Sequence, residues 1–353
     1  MKSFNVLIIT GGTGGHIFPG LAAGDYLESK GLHVLYLASG SKIGLINKNN
    51  VIYFKAKPFS KNPIQVFEAI FYFMSNLIEG LWVFLKVKPC VILATGSYAV
   101  VPFLILAIVL RIPFYLMEQN VLPGIVNKAF APFSKGVFIA FKESANYLHG
   151  KVIHSGLPLR TNAKEKVPKE EARDKLNLPK DKQIVLVIGG SLGARGLVEK
   201  ILPIAINQNS VHFIIQTGQR NYEYFKSHIS SFSPENLTLV PFIEQIGLFY
   251  SAADLVISRA GANSCMEIVY HEKPAILVPY PYSRDKHQYE NAKIVTAGGK
   301  AVLIDEKEIE NKLEPYLGGK LNLSGDYNSS IFVENCEEII YREITKYANC
   351  KKV

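Results

Sequence analysis

The strongest constraint on the fold is an alternation, repeated along most of the chain, between short apolar segments and longer segments of helical character. In the first half, five segments are continuously apolar: 6–10, 33–37, 91–94, 114–116 and 136–140. Strands buried on both faces of a parallel sheet have this composition. Helical segments separate them, at 20–30, 64–86 and 101–110. Because parallel strands need right-handed crossovers, the pattern predicts a doubly wound α/β sheet.

The same alternation starts again after a polar segment, 159–182, that is rich in Lys, Glu and Pro. Five further strands are predicted there, at 183–188, 211–216, 237–241, 255–257 and 275–278. We therefore expect two doubly wound, Rossmann-like domains, 1–157 and 158–330, with a terminal segment, 331–353, whose helix joins the first domain. Two such domains are expected to face a cleft, because ligands of these sheets bind where the strands end.

Composition narrows the classes of partner. The 353 residues carry a formal net charge of +9, which favours anionic ligands or surfaces. Lys and Arg are scattered, without a dense basic block before Lys351-Lys352, so we expect no nucleic-acid partner. The four cysteines form no C-x-x-C pair, which predicts free thiols in a reducing cytosol. The first residues lack the features of a signal peptide.

A glycine-rich loop, GGTGGH at 11–16, lies between the first strand and a helix expected to begin near Gly20. Glycines let the backbone approach an anion, and a helix N-terminus adds positive potential, so we expect a phosphate site. A tight turn without a ligand is the alternative. A P-loop would need G-K-[ST], and a dinucleotide fingerprint would need glycine where Ile17 stands and an acidic residue near 37–39. Since none of these is present, NAD binding is disfavoured.

Two more glycine turns follow predicted strands, TGSY at 95–98 and GGSLGARG at 189–196. Three such turns on two domains favour a phosphorylated ligand more strongly than one would. No D-x-D pair, which many sugar transferases use to hold a metal on the diphosphate, occurs in the chain. We therefore expect no required metal or other cofactor. Backbone amides, the loop at Ser191 and Arg160 would then stabilise the charge of a leaving diphosphate.

Three polar clusters also follow predicted strands. Glu267 lies near the start of a helix, where its carboxylate suits a ribose diol; a Glu favoured by the helix dipole is the alternative. Gln288 lies in DKHQYEN at 285–291, whose amides suit sugar hydroxyls, although a capped surface helix has the same composition. The segment EQN at 118–120 is either functional or an ordinary loop.

Taken in order, these motifs resemble those of one family. The chain is similar to the MurG family in GGTGGHIFPGLA, TGSYAVVP, EQN, GLPLR, GGSLGA, SRAGANSCMEI and DKHQYENA, from residue 11 to about 292. The resemblance implies a GT-B fold and an inverting transfer of N-acetylglucosamine from UDP-N-acetylglucosamine to lipid I, giving lipid II. It therefore implies a role in peptidoglycan synthesis, cell shape and division. It also implies a peripheral enzyme on the cytoplasmic face of the bacterial cell membrane.

The resemblance also implies roles for individual residues. The implied donor-binding residues are Thr13, Gly14, Gly15, Asn120, Arg160, Ser191, Ile243, Ala262, Asn263, Ser264, Cys265, Met266, Glu267 and Gln288. Within this set the diphosphate would meet Ser191, the uracil would meet the backbone of Ile243, and the ribose would meet Glu267. Gln288 would contact the sugar hydroxyls. The implied acceptor-side residues are His16, Tyr98 and Glu118.

His16 is the candidate catalytic base, because an unperturbed imidazole group titrates near neutrality. A hydrogen bond from His16 to the acceptor diphosphate is the alternative. The chain departs from the family at Leu192, where Gln is usual, at Ser97, where a second Gly is usual, and at Met117, where His is usual. The family segment DRQQ reads DKHQ at 285–288. Of these, the change at Met117 puts acceptor contacts in doubt.

Segment 64–88 is more apolar than a two-layer core needs, yet Glu68 and Glu79 argue against a membrane span. We expect part of it to lie in the membrane interface, with nearby lysines meeting anionic headgroups: Lys57, Lys61, Lys86 and Lys88. Well-buried core helices are the alternative. Two other functions stay open, namely another GT-B enzyme with a lipid acceptor and a non-catalytic nucleotide-sugar-binding protein.

Overall fold

The computed structural model describes residues 5–40, 48–58, 62–190, 193–229, 234–320 and 323–348. The chain divides into two compact units. The N-terminal unit consists of Met1–Arg160 and Val333–Val353, and the C-terminal unit consists of Thr161–Phe332. The boundaries expected from the sequence, after 157 and after 330, differ from these by three and two residues.

The N-terminal unit is built on a seven-stranded parallel sheet of order β3-β2-β1-β4-β5-β6-β7. Its strands are β1 (Val6–Thr10), β2 (Val34–Ala38), β3 (Val51–Tyr53), β4 (Val91–Ala94), β5 (Phe114–Glu118), β6 (Gly136–Ile139) and β7 (Val152–His154). Every residue of β1, β2, β4, β5 and β6 is buried, which is why these strands are apolar except for Thr10 and Glu118 at the ends of β1 and β5.

The C-terminal unit is built on a six-stranded parallel sheet of order β10-β9-β8-β11-β12-β13. Its strands are β8 (Gln183–Ile188), β9 (Val211–Gln216), β10 (Leu237–Val240), β11 (Leu255–Ser258), β12 (Ala275–Leu277) and β13 (Ala301–Leu303). In each sheet the chain leaves from a central strand and winds to both sides, so the prediction of two doubly wound α/β domains is confirmed.

The described part of the chain also contains twelve α-helices. They are α1 (Gly14–Ser29), α2 (Pro63–Val87), α3 (Val101–Val109), α4 (Ile125–Phe130), α5 (Lys169–Lys175), α6 (Arg195–Ile206), α7 (Tyr222–Ile229), α8 (Ile246–Ala252), α9 (Ala262–Tyr270), α10 (His287–Thr296), α11 (Ile309–Lys312) and α12 (Cys336–Ala348). The first of these begins six residues before the expected start at Gly20, and the last begins five residues after the expected start at residue 331.

Helix α12 belongs to the N-terminal unit and is held there by long-range polar contacts. The hydroxyl of Tyr26 donates to Oε2 of Glu338 at 2.9 Å, and the hydroxyl of Tyr115 donates to Oε2 of Glu343 at 3.1 Å. Burial alone would raise the pKa of the Glu343 carboxyl, but hydrogen bonds from Lys151 and its other donors outweigh burial and lower the pKa to about 2. Glu343 is therefore ionised at neutral pH and anchors the helix.

The cysteines differ from the prediction of free thiols. Cys265 and Cys336 are free and buried, whereas Cys90 is disulfide-bonded. The prediction is therefore wrong for Cys90. The spacing of cysteines along a sequence does not show which side chains the fold brings together.

Candidate functional site

In the N-terminal unit, the segments after β1, β4 and β5 meet at one edge of the sheet because these three strands are neighbours. The ring of His16 is fixed there by a 2.8 Å hydrogen bond between Nδ1 and the carbonyl oxygen of Thr95. A carbonyl only accepts, so Nδ1 carries the proton and donates. In the neutral ring, the other nitrogen, Nε2, then has the lone pair that a base needs.

The groups around His16 form a network that the sequence reasoning missed. The Thr95 hydroxyl donates to Oγ1 of Thr10 at 2.9 Å, and Thr10 donates to the backbone oxygen of His16 at 3.1 Å. The amide of Gln119 donates to the Thr95 carbonyl at 2.9 Å. These residues directly follow or end adjacent strands, so their place at strand ends was the available signal. They hold the backbone and ring of His16 in one orientation.

Glu118, expected on the acceptor side, lies in a buried hydrogen-bond network. Its carboxylate accepts from the backbone amides of Asn120 and Gly124, at 3.0 and 2.9 Å, and from Nδ2 of Asn127 at 2.7 Å. Only 2% of Glu118 is exposed. The geometry thus gives this carboxylate a role in shaping the loop after β5, which carries the half-buried Asn120. Tyr98 is more open, with 38% of its surface exposed.

The first glycine loop is the start of α1 itself. Thr13 occupies the N-cap position, Gly14 is the first helical residue, and both Thr13 and Gly15 are exposed. The expected start near Gly20 is wrong because Gly14 and Gly15 already adopt helical geometry and the helix continues through Pro19. Amides of a first helical turn point outward along the axis and favour an anion. The loop and the helix N-terminus are therefore one element.

Ser97, in the second glycine turn, has a backbone conformation that favours glycine. Its φ is 78° and its ψ is 151°. A non-glycine residue in this region stores about 1–3 kcal/mol of strain. Its side chain accepts a long hydrogen bond from the amide of Ala99, at 3.5 Å, at the start of a short helical turn. Ser97 lies next to the first glycine loop, since a Cβ on Gly12 would lie 3.1 Å from Oγ of Ser97.

We expect Ser97→Gly to raise the free energy of unfolding by about 1 kcal/mol, because glycine adopts this conformation without strain. The greater freedom of glycine in the unfolded chain subtracts from the gain but does not cancel it. Thermal melting monitored by circular dichroism measures the effect. A melting temperature equal to or below that of the wild type would show that Ser97 carries no net strain.

Arg160, the last residue of the N-terminal unit before the chain crosses to the C-terminal unit, stacks on the first motif. Its guanidinium carbon lies 4.3 Å from the centroid of the Phe18 ring. A cation over an aromatic face is attracted by the ring quadrupole. The motifs GGTGGHIFPG and GLPLR are thus brought together within the N-terminal unit.

In the C-terminal unit, the glycine loop after β8 is shaped by two glycines with positive φ, Gly190 at 75° and Gly193 at 77°. A Cβ on Gly193 would lie 2.2 Å from the carbonyl oxygen of Thr217, so only glycine fits there. The amide of Gly193 donates to the carbonyl of Gly190 at 3.0 Å, and α6 begins two residues later. Ser191 and Leu192 lie outside the described residues. The flanking geometry is that of a tight loop opening a helix.

Glu267 lies in the second turn of α9, directly after β11. Only 6% of it is exposed, and Oε2 accepts a 3.1 Å hydrogen bond from the hydroxyl of Tyr250. Of the residues before it in the helix, Asn263 and Ser264 are half-buried. The side chains of three others are buried: Ala262, Cys265 and Met266.

Burial raises the pKa of the Cys265 thiol to about 12. The thiol therefore stays protonated at neutral pH, and the Cys265 side chain serves to pack the interior of the C-terminal unit.

Gln288, the second residue of α10, lies after β12, the strand next to β11. Its Oε1 accepts from the backbone amide of Tyr280 at 2.8 Å, which fixes the amide plane and directs the NH2 group away from that bond. The two residues that precede α10, Asp285 and Lys286, have positive φ values of 50° and 54°, so the backbone turns sharply there.

Ile243, expected to meet the uracil through its backbone, has a buried side chain, with 4% of its surface exposed.

Two further side chains tie these segments together: Asn291 of the segment 285–291, predicted to offer amides to sugar hydroxyls, and Arg259, for which the sequence predicted no role. Asn291, fully buried in α10, donates to the carbonyl of Ala260 at 3.1 Å, at the start of the loop before α9. Arg259 forms an ion pair with Glu306 and donates to the carbonyls of Val278 and Pro279, both at 3.3 Å. Arg259 therefore organises the strand ends instead of facing solvent. Among the described residues, no group of three or more His, Cys, Asp or Glu side chains could hold a metal ion.

Comparison with known proteins supplies the family. Residues 6–139 match the Glycosyltransferase family 28 N-terminal domain, and residues 184–323 match the Glycosyltransferase family 28 C-terminal domain. The chain belongs to glycosyltransferase family 28. The two family 28 domains lie one in each compact unit, and the resemblance to the MurG family and the interpretation as a glycosyltransferase are both confirmed.

Several relatives share the name UDP-N-acetylglucosamine--N-acetylmuramyl-(pentapeptide) pyrophosphoryl-undecaprenol N-acetylglucosamine transferase. The protein of Aquifex aeolicus is 33% identical over 351 residues, which cover 96% of this chain and 99% of the relative. That of Sulfurihydrogenibium sp. is 32% identical over 315 residues, covering 87% of each chain. That of Acetivibrio thermocellus is 31% identical over 360 residues, covering 96% and 97%.

Solved structures share the family 28 fold. MurG of Acinetobacter baumannii has a TM-score of 0.70 at 24% identity, covering 98% of this chain and all of that one. The UDP-GlcNAc 2-epimerase of Neisseria meningitidis, solved with UDP-GlcNAc bound, has a TM-score of 0.70 at 16% identity, covering 97% of this chain and all of that one. At these identities the likeness establishes the fold alone.

Proposed function

We propose that this family 28 enzyme transfers N-acetylglucosamine from UDP-N-acetylglucosamine to the muramoyl 4-hydroxyl of lipid I, with inversion, and gives lipid II. The observation that carries the proposal is the shared name of relatives at 31–33% identity along most of the chain. The geometry of each unit supports the chemistry that this name requires. The N-terminal unit offers a base in the first turn of a glycine-opened helix. The C-terminal unit offers a buried carboxylate after β11, the neighbour of the strand that precedes the second glycine loop.

On the acceptor side, Nε2 of His16 takes the proton of the attacking hydroxyl. The Thr95 carbonyl bonded to Nδ1 sets the tautomer and then stabilises the imidazolium that forms, because its oxygen accepts from Nδ1 in both states. The attack breaks the bond between the anomeric carbon and the diphosphate oxygen, and UDP leaves from the opposite face. A single displacement of this kind inverts the anomeric configuration.

On the donor side, Glu267 accepts the ribose hydroxyls, and the amides of the loop around Ser191 and of the first turn of α6 stabilise the leaving diphosphate. This arrangement requires no metal ion and no other cofactor. Gln288, whose amide plane is fixed by Tyr280, contacts the hydroxyls of the transferred sugar.

Transfer of radiolabelled N-acetylglucosamine to purified lipid I tests the proposal directly. Labelled lipid II is the expected product, with UDP released only when lipid I is present. Preference for UDP-glucose or UDP-galactose, with a diacylglycerol acceptor, would instead identify a different lipid glycosyltransferase. UDP binding without transfer to any lipid acceptor would identify a binding protein.

We also propose that α2 holds the enzyme on the cytoplasmic surface of the cell membrane. Within the described part of the chain, α2 is the one helix long and apolar enough to cross a bilayer by length and composition. Nine of its large apolar residues are exposed: Ile64, Phe67, Ile70, Phe71, Met74, Ile78, Leu81, Trp82 and Leu85. An exposed apolar surface of this extent is rare on a protein surrounded by water. The alternative of a well-buried core helix is therefore disfavoured.

The opposite stripe of α2 packs on the N-terminal unit. A Cβ on Gly80 would lie 2.8 Å from the Phe103 ring of α3, and Nδ2 of Asn76 donates to the carbonyl of Lys55 at 2.9 Å. A helix fixed to the protein along one side lies in the interface instead of spanning the bilayer. Lys86 lies with its ammonium 4.3 Å from the centroid of the Trp82 ring, a pairing suited to the headgroup region.

We expect the triple variant Phe71→Ser, Ile78→Ser and Trp82→Ser to lose at least about 100-fold in affinity for vesicles, because each exposed side chain contributes more than about 1 kcal/mol when buried in lipid. Co-sedimentation with vesicles that contain anionic phospholipid measures the loss. Tyr282→Ser, which removes an aromatic side chain that is 85% exposed on the C-terminal unit, is the matched control and should sediment like the wild type. Equal sedimentation of the triple variant would exclude α2 as the anchor.

A further inference from the structure

Tyr250 makes a contact that the assigned roles do not explain. It lies in α8 and is fully buried, and its hydroxyl donates to Oε2 of Glu267 in α9 at 3.1 Å. Glu267 is itself only 6% exposed. A hydrogen bond to an ionised acceptor inside a protein is about twice as strong as a neutral one, and it restricts the rotamer of the acceptor.

The ring of Tyr250 is held by a second, independent set of contacts. It stacks on the imidazole of His271, with centroids 4.9 Å apart and planes inclined by 18°. Nε2 of His271 bonds the carbonyl oxygen of Ala163 at 2.7 Å, so this nitrogen carries the proton and donates. Burial lowers the pKa of His271 to about 4, which keeps the ring neutral at physiological pH. The stacked ring therefore holds the hydroxyl of Tyr250 in a fixed position next to the carboxylate of Glu267.

We infer that Tyr250 is a positioning residue for donor binding, whose hydroxyl orients the Glu267 carboxylate toward the ribose diol of the uridine nucleotide. The inference rests on the proposed function, in which Glu267 accepts the ribose hydroxyls. A carboxylate has about four acceptor sites, so the bond from Tyr250 is compatible with two more from a diol. An acceptor that is oriented before the ligand arrives loses less freedom on binding, and affinity rises accordingly.

Tyr250→Phe keeps the ring, its stacking on His271 and its packing, and removes only the hydroxyl. We expect this variant to bind UDP about tenfold more weakly, the effect of one hydrogen bond to a charged group. The KM for UDP-N-acetylglucosamine should rise by a similar factor with kcat nearly unchanged, because the interaction is present before and during transfer. The Glu267→Ala variant, which has no side-chain oxygen left to orient, should show almost no further loss when Tyr250→Phe is added, since the two residues act as one unit.

The deciding experiment is calorimetry with UDP and with 2′-deoxy-UDP on the wild type and on Tyr250→Phe. A positioning role predicts a loss of about tenfold for UDP and a clearly smaller loss for the deoxy nucleotide, because the contact that it supports is partly absent there. Tyr115→Phe is the matched control: it removes a buried hydroxyl bonded to Glu343 in the N-terminal unit and should bind UDP like the wild type.

Equal losses for the two nucleotides would assign Tyr250 a general structural role and overturn the inference. Unchanged UDP binding by Tyr250→Phe would overturn it as well, while leaving the proposed function intact. Absence of UDP binding by the wild type would instead refute the proposed function, and the inference with it.

Discussion

His16→Ala should lower the turnover number by about 100-fold or more, which is the usual contribution of a general base. The structure supports this expectation because the bond from Nδ1 to the Thr95 carbonyl makes Nε2 the acceptor nitrogen. Alanine removes the proton acceptor and leaves the Thr95 carbonyl without its imidazole donor. The KM for the donor should change much less, since donor recognition is assigned to Glu267 and Gln288. Initial rates of lipid II formation at saturating substrates measure the effect.

Two variants sharpen this test of His16. His149→Ala removes an exposed imidazole from the same unit and should leave the turnover number unchanged. His16→Gln can still donate a hydrogen bond but cannot act as a base near neutral pH. If His16 only binds the acceptor diphosphate, His16→Gln should keep most of the wild-type turnover. His16→Ala should then raise the KM for lipid I instead of lowering the turnover number. Near-normal turnover in His16→Ala would exclude the base role.

Glu267→Ala should weaken UDP binding by about 100-fold, because two hydrogen bonds from ribose hydroxyls to a carboxylate contribute about 3 kcal/mol together. The desolvated site around Tyr250 makes these bonds stronger than they would be on the surface. Calorimetry with UDP measures the loss. Glu223→Ala, which removes an exposed carboxylate in α7, should bind UDP like the wild type.

Glu267→Ala also removes the acceptor of the buried Tyr250 hydroxyl, so the substitution lowers the free energy of unfolding as well as the affinity for UDP. Glu267→Gln separates the two effects, since the amide oxygen can still accept from Tyr250. It should melt close to the wild type and still bind UDP more weakly. Wild-type affinity in Glu267→Gln would show that the carboxylate charge does not serve the ribose.

The central strands could be predicted from the sequence because burial on both faces makes most of their residues apolar. Strands β1, β4, β8 and β9 begin and end where the apolar segments do. Three strands at or near sheet edges were missed: β3, β7 and β13. Each has three residues, and none is buried throughout, so their composition is mixed and gives no continuous apolar signal.

The site was predictable to the extent that it depends on position along the chain. His16 follows β1 of the first sheet, and Glu267 and Gln288 follow β11 and β12 of the second. Each parallel sheet places the residues that follow its strands at the edge where those strands end. The bond between Glu118 and Asn127, the ion pair of Arg259 and the contact of Tyr250 with Glu267 depend on which helices pack together. Periodicity in one sequence carries no information on these pairings.

The return of α12 to the N-terminal unit has a consequence for how the protein matures. The ribosome makes residues 161–332 before it makes the helix that completes the first sheet's packing. Until then Tyr115 lacks its bond to Glu343, and Tyr26 lacks its bond to Glu338. The nascent N-terminal unit must therefore wait, incompletely covered, while the whole C-terminal unit is translated at about 5–20 residues per second. That interval lasts roughly ten to thirty seconds, long enough for a chaperone, or an early encounter of α2 with lipid, to influence the outcome.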